Sequence, residues 1–315
     1  MPRYTFSSSS FYPYTMIFKP ITLSCIEELA PFSKFIPNRS CDYTLGNLIM
    51  WARYMNYRYC IEEETLFISC QSQQEIDAKA FLMPVGRLPL KESLSKLQEL
   101  CYTLGRKFRL TAVPEPYIEE IRQLLPDYNI QPLEGWSDYI YSAESLVTLQ
   151  GKALNKKRNR FNKFTSEYPD YAYSRMTDEE IEEAVVFLGG ATDCHDQTIM
   201  RCYEQEQCIS TVRNTRYYKQ PAGIIRIEGK IVAFTLGEIV GDTLYIHIEK
   251  ALREYAGLSE CINRCYAEDI TREYTQIKYI NREEDLGDPG LRQAKRSYDP
   301  LIMLDRYEVT QQDNV

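Results

Sequence analysis

Histidine and tryptophan occur only twice each in this 315-residue sequence, and its ten cysteines never form a C-x-x-C pair. Two imidazoles cannot build a His-rich metal centre, so no metal site is expected. Cysteine at roughly 3% is too sparse for a disulfide scaffold. The thiols, among them Cys202, Cys208 and the i,i+4 pair Cys261 and Cys265, are expected to be buried and reduced in a cytoplasmic protein. G-x-S-x-G, Walker A and G-x-G-x-x-G are all missing, which argues against a serine-hydrolase elbow, a P-loop enzyme and a dinucleotide fold. No apolar run approaches the ~18 residues of a membrane span, and the stretch 184–191 is interrupted by glycines. Residues 1–15 lack the basic start, apolar block and cleavage site of a secretory signal. They read as a disordered tail or as a start misplaced ahead of Met16.

What is present is ordinary globular material. Hydrophobic residues make up 44% and charged residues 26%, with Lys+Arg 37 against Asp+Glu 45 and a formal net charge of −8. Such a chain does not bind nucleic acid or anionic membranes indiscriminately, so any polyanion site has to be local. At ~150 residues per domain the length suits two domains, expected at 16–145 and 146–315.

The first half reads as a helix at 38–54, strands at 58–61, 65–70 and 79–83, a helix at 91–104, a strand at 107–112, a helix from Pro114 to Leu125 and a strand at 139–141. The second half reads as helices at 151–168 and 178–188, a meander of strands at 222–227, 231–240 and 243–248, then helix 258–270, strand 276–280, helix 289–297 and strand 301–304. Both halves therefore predict an α+β domain, each a mixed, mainly antiparallel sheet flanked by helices, in the order of acetyltransferase-like (GNAT) folds.

Four constellations could carry chemistry. The helix from Gly151 holds six cations and no acid up to Phe164. Helical spacing puts Lys152, Lys156, Asn159 and Lys163 on one stripe, opposite Leu154, Phe161, Phe164 and Tyr168. That stripe is either a phosphate-docking surface or a solvated helix face. In the strand 243–249, alternation sends Leu244, Ile246 and Ile248 to one face and Tyr245, His247 and Glu249 to the other. His247 with Glu249 could then take a proton from an attacking nucleophile, unless this is simply an exposed polar face. Gly257 before a helix is a weak phosphate cradle. Finally, residues 281–300 leave a buried strand, turn through Gly287 and Gly290, and restart as a helix capped by Asp288, with Glu283, Asp285 and Arg292 displayed on the turn. An ion-paired turn is the alternative.

These motifs resemble the phosphatidylglycerol lysyltransferase C-terminal-domain family over about residues 17–308. The resemblance is carried by Asp42-Tyr43-Thr44-Leu45-Gly46-Asn47 with Trp51, by Gly151-Lys152 through Lys157-Arg158-Asn159 and Phe164, and by His247-Ile248-Glu249-Lys250. Its longest part is Asn281-Arg282-Glu283-Glu284-Asp285-Leu286-Gly287 with Gly290-Leu291-Arg292, Ala294-Lys295 and Ser297-Tyr298-Asp299-Pro300. It implies two GNAT-like domains in tandem and transfer of an aminoacyl group from aminoacyl-tRNA to a lipid headgroup or a small amine or hydroxyl acceptor. The lipid enzymes carry an integral-membrane half that this sequence lacks, so the lipid acceptor does not carry over with the resemblance.

On that footing Lys152, Lys156, Lys157 and Arg158, with Asn159, are expected to meet the donor's phosphates, and His247 or Glu249 to move a proton. Glu283, Asp285 and Arg292 would hold the aminoacyl amine or the acceptor's polar group. Asn281, Gly287 and Gly290 would shape the turn, with Lys295 and Tyr298 on the substrate side of the same motif. No tightly bound cofactor is expected, aminoacyl-tRNA being a co-substrate, and peripheral contact with anionic lipid is compatible with the basic stripe. Two further readings are an acyl-CoA-dependent N-acyltransferase, weakened by the lack of a multi-glycine loop near Gly257, and a non-catalytic module that binds tRNA, nucleotide or lipid headgroups.

Overall fold

The computed structural model describes residues 16–71, 79–190 and 198–312, so the expected tail at 1–15 lies outside the described residues. In the N-terminal half the strands are β1 (Lys19–Pro20), β2 (Arg58–Glu62), β3 (Thr65–Gln71), β4 (Lys79–Phe81), β5 (Val85–Gly86), β6 (Arg109–Pro114) and β7 (Tyr128–Pro132). The remaining strands are β8 (Asp138–Ser142), β9 (Ala172–Arg175), β10 (Ala222–Ile227), β11 (Lys230–Val240), β12 (Thr243–Ala251), β13 (Tyr279–Asn281), β14 (Ile302–Leu304) and β15 (Arg306–Gln311). They form two sheets, ordered β1-β2-β3-β4-β6-β15-β7, with β5 on β3, and β14-β8-β13-β12-β11-β10-β9. Each sheet is antiparallel except for one parallel pair, β4–β6 in the first and β12–β13 in the second.

The division expected at 145/146 is displaced. Strand β8 precedes it yet pairs antiparallel with β13 and β14 of the second sheet. The C-terminal strand β15 returns to the first sheet and fills the slot between β6 and β7. Alternation along a segment identifies a strand but not its neighbour, because pairing over such sequence distances is decided by tertiary packing. The exchange ties the two units together through their own backbones.

Helices cover the sheets. Leu90–Thr103 and Ile118–Leu124 pack on the first, where Phe67, Leu97, Leu110, Val113 and Ile121 form its core. On the second sheet one face carries Leu244, Ile246, Tyr266 and Ile270, and the other carries Ile224, Phe234, Leu236 and Ile248. Met50, from the helix Leu45–Trp51, joins that second face, so an N-terminal helix is wedged against the C-terminal sheet. The single helix expected at 38–54 is broken into short 3₁₀ turns before Leu45 because Asn38 and Arg39 take positive φ. Thr44 then caps the helix proper, its hydroxyl accepting from Asn47 N.

One register change matters for the site. Leu236 pairs with Ile248 but Gly237 pairs with Ile246, so His247 is an extra residue in β12. The alternation expected along 243–249 therefore ends at His247, and Ile248 goes to the opposite core face from Leu244 and Ile246. Gly237 is needed there, since any Cβ would overlap the Tyr245 carbonyl. Among the described residues no helix is long and apolar enough to cross a membrane. Most of the described cysteines are buried thiols, Cys202 and Cys265 being the more open ones.

Candidate functional site

Strands β12 and β13 are hydrogen-bonded only from Thr243–Tyr279 to Tyr245–Asn281, after which β12 runs on to Ala251 paired with β11 but not with β13. At the point where they part, His247 bridges two carboxylates. Its Nδ1 lies 2.7 Å from Glu283 Oε1 and its Nε2 lies 3.2 Å from Glu238 Oε2. Burial of the ring opposes a charge, but the bonds to Glu238 and Glu283 outweigh it and raise its pKa to about 10. His247 is thus an imidazolium at neutral pH, with both N–H groups taken, and cannot serve as the proton acceptor expected of it. Glu249 does not join it. Beyond the bulge its carboxylate accepts from Arg282 Nη2 at 2.8 Å and from Asn263 Nδ2 at 3.1 Å.

Glu238 is the residue the motifs did not point to. Its Oε2 accepts from Gly46 N (2.7 Å), Gln220 Nε2 (3.1 Å) and His247, while Oε1 accepts from Leu45 N (3.1 Å). Burial works against its charge, yet the imidazolium and the amides opening the helix Leu45–Trp51 hold its carboxyl below the usual range. Gly46 permits this approach, because a Cβ would sit 2.6 Å from His247 Nε2 and closer still to Gln220 Nε2. A signal was available in the sequence: Glu238 is the one charge within the apolar run 231–240, and such a residue seldom stays buried without a partner.

A second buried network lies beside the first. Arg306, at the start of β15, is fully buried; it donates to Asp138 and Cys41 Sγ, and its Nε lies 3.1 Å from Asp42 Oδ2. Its Nη1 is 3.9 Å from Glu284 Oε2. Asn281 Nδ2 donates to Asp138 Oδ2 (2.9 Å) and to the Arg39 carbonyl (2.8 Å), and its Oδ1 accepts from Glu283 N. Burial, reinforced by Glu283, Asp138 and Asp42 against the pull of Arg306, lifts the Glu284 carboxyl to about 7. Cys41, Asp138 and Glu284 bring ligand-type atoms within 4.8 Å of one another. The guanidinium already stands among them, so a metal ion would compete with a fixed cation.

The turn after β13 is largely self-satisfied. Asp285 accepts from Tyr139 OH (2.6 Å), from Arg292 Nε and Nη2 (3.0 and 2.9 Å) and from Gly287 N (2.9 Å), which fills a carboxylate's usual four positions. Asp285 and Arg292 thus hold each other, with Gly287 supplying the positive φ of the turn. Gly290 N donates to the capping Asp288. Lys295 is buried and donates to the carbonyls of Arg282 and Glu284. Tyr298 is buried too, its ring faced by Arg282 at 4.7 Å and by Lys157 at 4.1 Å.

The basic helix, Asn155–Glu167, thereby sits next to that turn, with Leu154 and Phe164 inward and Lys152, Lys156, Asn159 and Lys163 exposed. Two expected phosphate ligands are otherwise engaged. Lys157 is buried against Glu260 Oε1 at 3.2 Å, and Arg158 donates to the Leu149 and Gly151 carbonyls. The start of helix Leu258–Glu273 is closed: a Cβ on Gly257 would overlap the Arg160 carbonyl, and the buried Glu260 carboxylate occupies its first turn.

A cavity of about 920 Å³ opens elsewhere, between the two units. Glu238, Leu45 and Tyr245 form part of its wall, and Lys34, Lys219 and Tyr274 also line it. The His247 string therefore has the cavity on its Glu238 side and the parted strands on its Glu283 side.

The sequence profile of the family described as "Phosphatidylglycerol lysyltransferase, C-terminal" matches residues 33–310. A crystal structure of a conserved protein of unknown function from Bacteroides thetaiotaomicron is 31% identical and superposes with a TM-score of 0.87, covering 95% of this chain and 100% of that one. The L-PGS of Bacillus licheniformis is 15% identical with a TM-score of 0.59, over 92% of each chain. An uncharacterised protein of Mycoplasmoides gallisepticum is 22% identical over 199 residues, which is 60% of this chain and 61% of that relative's length. The fold is α+β, with two mixed, mainly antiparallel sheets flanked by helices.

Proposed function

Because the chain belongs to the phosphatidylglycerol lysyltransferase C-terminal family, we propose that it is an aminoacyltransferase that uses aminoacyl-tRNA. The acceptor is a lipid headgroup or a small amine or hydroxyl compound. Its nitrogen or oxygen attacks the ester carbonyl of the donor, the bond to the ribose oxygen breaks, and that oxygen takes up the proton the acceptor gives up. Holding the two reactants at the domain junction accounts for most of the acceleration in such a reaction.

The observation that carries this reading is the buried string Glu238–His247–Glu283, which lies where the strands part and borders the cavity between the units. In this reading His247 is a positioning residue that fixes two carboxylates, and Glu238 faces the substrate. The exposed stripe of Lys152 and Lys156 suits the RNA body. The acyl-CoA alternative is disfavoured by the closed start of helix Leu258–Glu273, since a pyrophosphate would have to displace Arg160 and the Glu260 carboxylate.

The test incubates the protein with a panel of tRNAs charged with labelled amino acids, and separately with labelled acetyl-CoA, each with cell lipid and peptide extract. Label leaving tRNA for an acceptor is expected, with tRNA binding weakened and its salt dependence flattened by K152A/K156A. Label moving from acetyl-CoA alone, or from neither donor, refutes the reading, and tRNA binding without turnover leaves the binding-module alternative.

A further inference from the structure

Helix Leu258–Glu273 carries two thiols one turn apart. Cys261 Sγ and Cys265 Sγ lie 3.9 Å from each other, within hydrogen-bond reach for sulfur. Their exposure differs: Cys261 is fully buried in the cluster with Phe164, Leu258 and Ile262, whereas Cys265 is half-buried at its edge. The Tyr171 hydroxyl bonds to both sulfurs. The charges facing the pair are Arg264, from the same helix, and Glu268, one turn on.

Such a pair shares its protons unequally. The bond from Cys261, helped by Tyr171 and Arg264, holds the Cys265 thiol below its ordinary value against burial and Glu268, while the same bond and burial push the Cys261 thiol up. Cys265 is therefore the nucleophile and Cys261 its proton-bearing neighbour. The other described thiols lack one half of this arrangement. Apart from Cys202 they are buried, and burial raises each of them. Cys202 is exposed, but its thiol has no hydrogen-bond partner among the described residues.

We propose that Cys265 and Cys261 form a peroxide-reactive dithiol. The Cys265 thiolate attacks one oxygen of hydrogen peroxide, the O–O bond breaks, and the departing hydroxide takes up a proton to become water, leaving a sulfenic acid on Cys265. Cys261 then attacks that sulfur while its thiol proton passes to the departing hydroxyl, which leaves as a second water. Two thiols are oxidised to one disulfide as one peroxide is reduced to two waters.

The new bond acts on the basic helix. A disulfide needs its β-carbons about 3.5–4.5 Å apart, whereas i,i+4 β-carbons on a helix stand about 5–6 Å apart, so this turn has to tighten by about 1–2 Å. The same turn holds Glu260, bound to Lys157 and Arg160, and Arg264, whose guanidinium lies 4.3 Å from the centre of the Phe161 ring. Oxidation therefore loosens Asn155–Glu167 from helix Leu258–Glu273. This goes beyond the transfer reading and does not depend on it.

The experiment treats the full chain with hydrogen peroxide at neutral pH, alkylates the thiols that stay reduced, and maps the cysteines by peptide mass spectrometry, with hydrogen exchange followed on both forms. The 261–265 disulfide should form first, Cys265 being consumed at least about tenfold faster than the more exposed Cys202 through its larger thiolate fraction. C261S should stop at a sulfenic acid that dimedone traps on Cys265, and C265S should suppress both products. Hydrogen exchange across 155–167 should rise on oxidation and return on reduction with dithiothreitol. The competition within the unaltered chain needs no variant, so a misfolded C261S leaves the assignment testable.

Cys202 or any other cysteine reacting ahead of Cys265, or Cys265 passing to a sulfinic acid while Cys261 stays a free thiol, overturns the dithiol. A disulfide that forms while exchange across 155–167 stays unchanged overturns its coupling to the basic helix.

Discussion

His247 should stay protonated far above the range in which a histidine ordinarily titrates. A midpoint moved from 6.5 to about 10 corresponds to about 5 kcal/mol in favour of the charged ring. Burial subtracts from that preference, so the whole of it comes from the bonds to Glu238 and Glu283 at 3.2 and 2.7 Å. The folded value lies above the unfolded one. The stabilisation is therefore complete below about pH 6.5 and is lost as the pH rises toward 10, at about 1.4 kcal/mol per pH unit. The chain has only one other histidine, His195, so replacing it leaves a single imidazole to follow by nitrogen NMR. Its ring nitrogens should report the imidazolium from pH 5 to beyond 9. E283Q and E238Q should each lower the midpoint, and with both carboxylates removed burial should take it below 6.5. A wild-type midpoint near 6.5, or one unmoved by either substitution, would refute the string as a charged unit.

Three further outcomes follow from the same junction. Glu284 is favoured in its neutral form, with a folded value of about 7 above the ordinary 4.5, so stability should fall as pH rises between them; E284Q should remove that slope and gain roughly 2–3 kcal/mol at pH 8, read by urea titration. R306L leaves Asp138 and Asp42 buried without their cation and should cost about 3–5 kcal/mol in the same assay; a loss under 1 kcal/mol would mean that the network does not hold the units together. G46A forces a methyl into Gln220 and His247, and should cost about 1–3 kcal/mol while shifting the His247 ring signal, whereas an unchanged spectrum would place that helix start farther from the ring.

Much of the scaffold was legible because local patterns determine it. The meander 222–251, the helix beginning at Leu258 and the Asp288 cap follow from alternation, turn glycines and capping chemistry. Elements with weaker patterns escaped. Tyr128–Pro132 is a largely exposed strand ending in proline, Ala172–Arg175 is a four-residue edge, and Ile199–Arg213 mixes charge and apolar residues around its circumference. The site was legible in its chemistry but not in its pairings. His247, Glu283 and Asn281 do converge. Lys157, Arg158, Asp285 and Arg292, by contrast, are satisfied by internal partners that no spacing rule reveals.

The sequence alone determined that the chain carries two α+β units, where most of their strands and helices lie, and which stretches hold unusual concentrations of charge, because periodicity, turn residues and capping act within a few residues of each other. Tertiary structure decided which strands changed sheets, that one extra residue at His247 turned Glu249 away from it, and that Glu238 and Arg306 became the centre of the junction. Those outcomes depend on contacts between segments up to 265 residues apart, such as Arg306 with Cys41, and on which buried charges find a partner there.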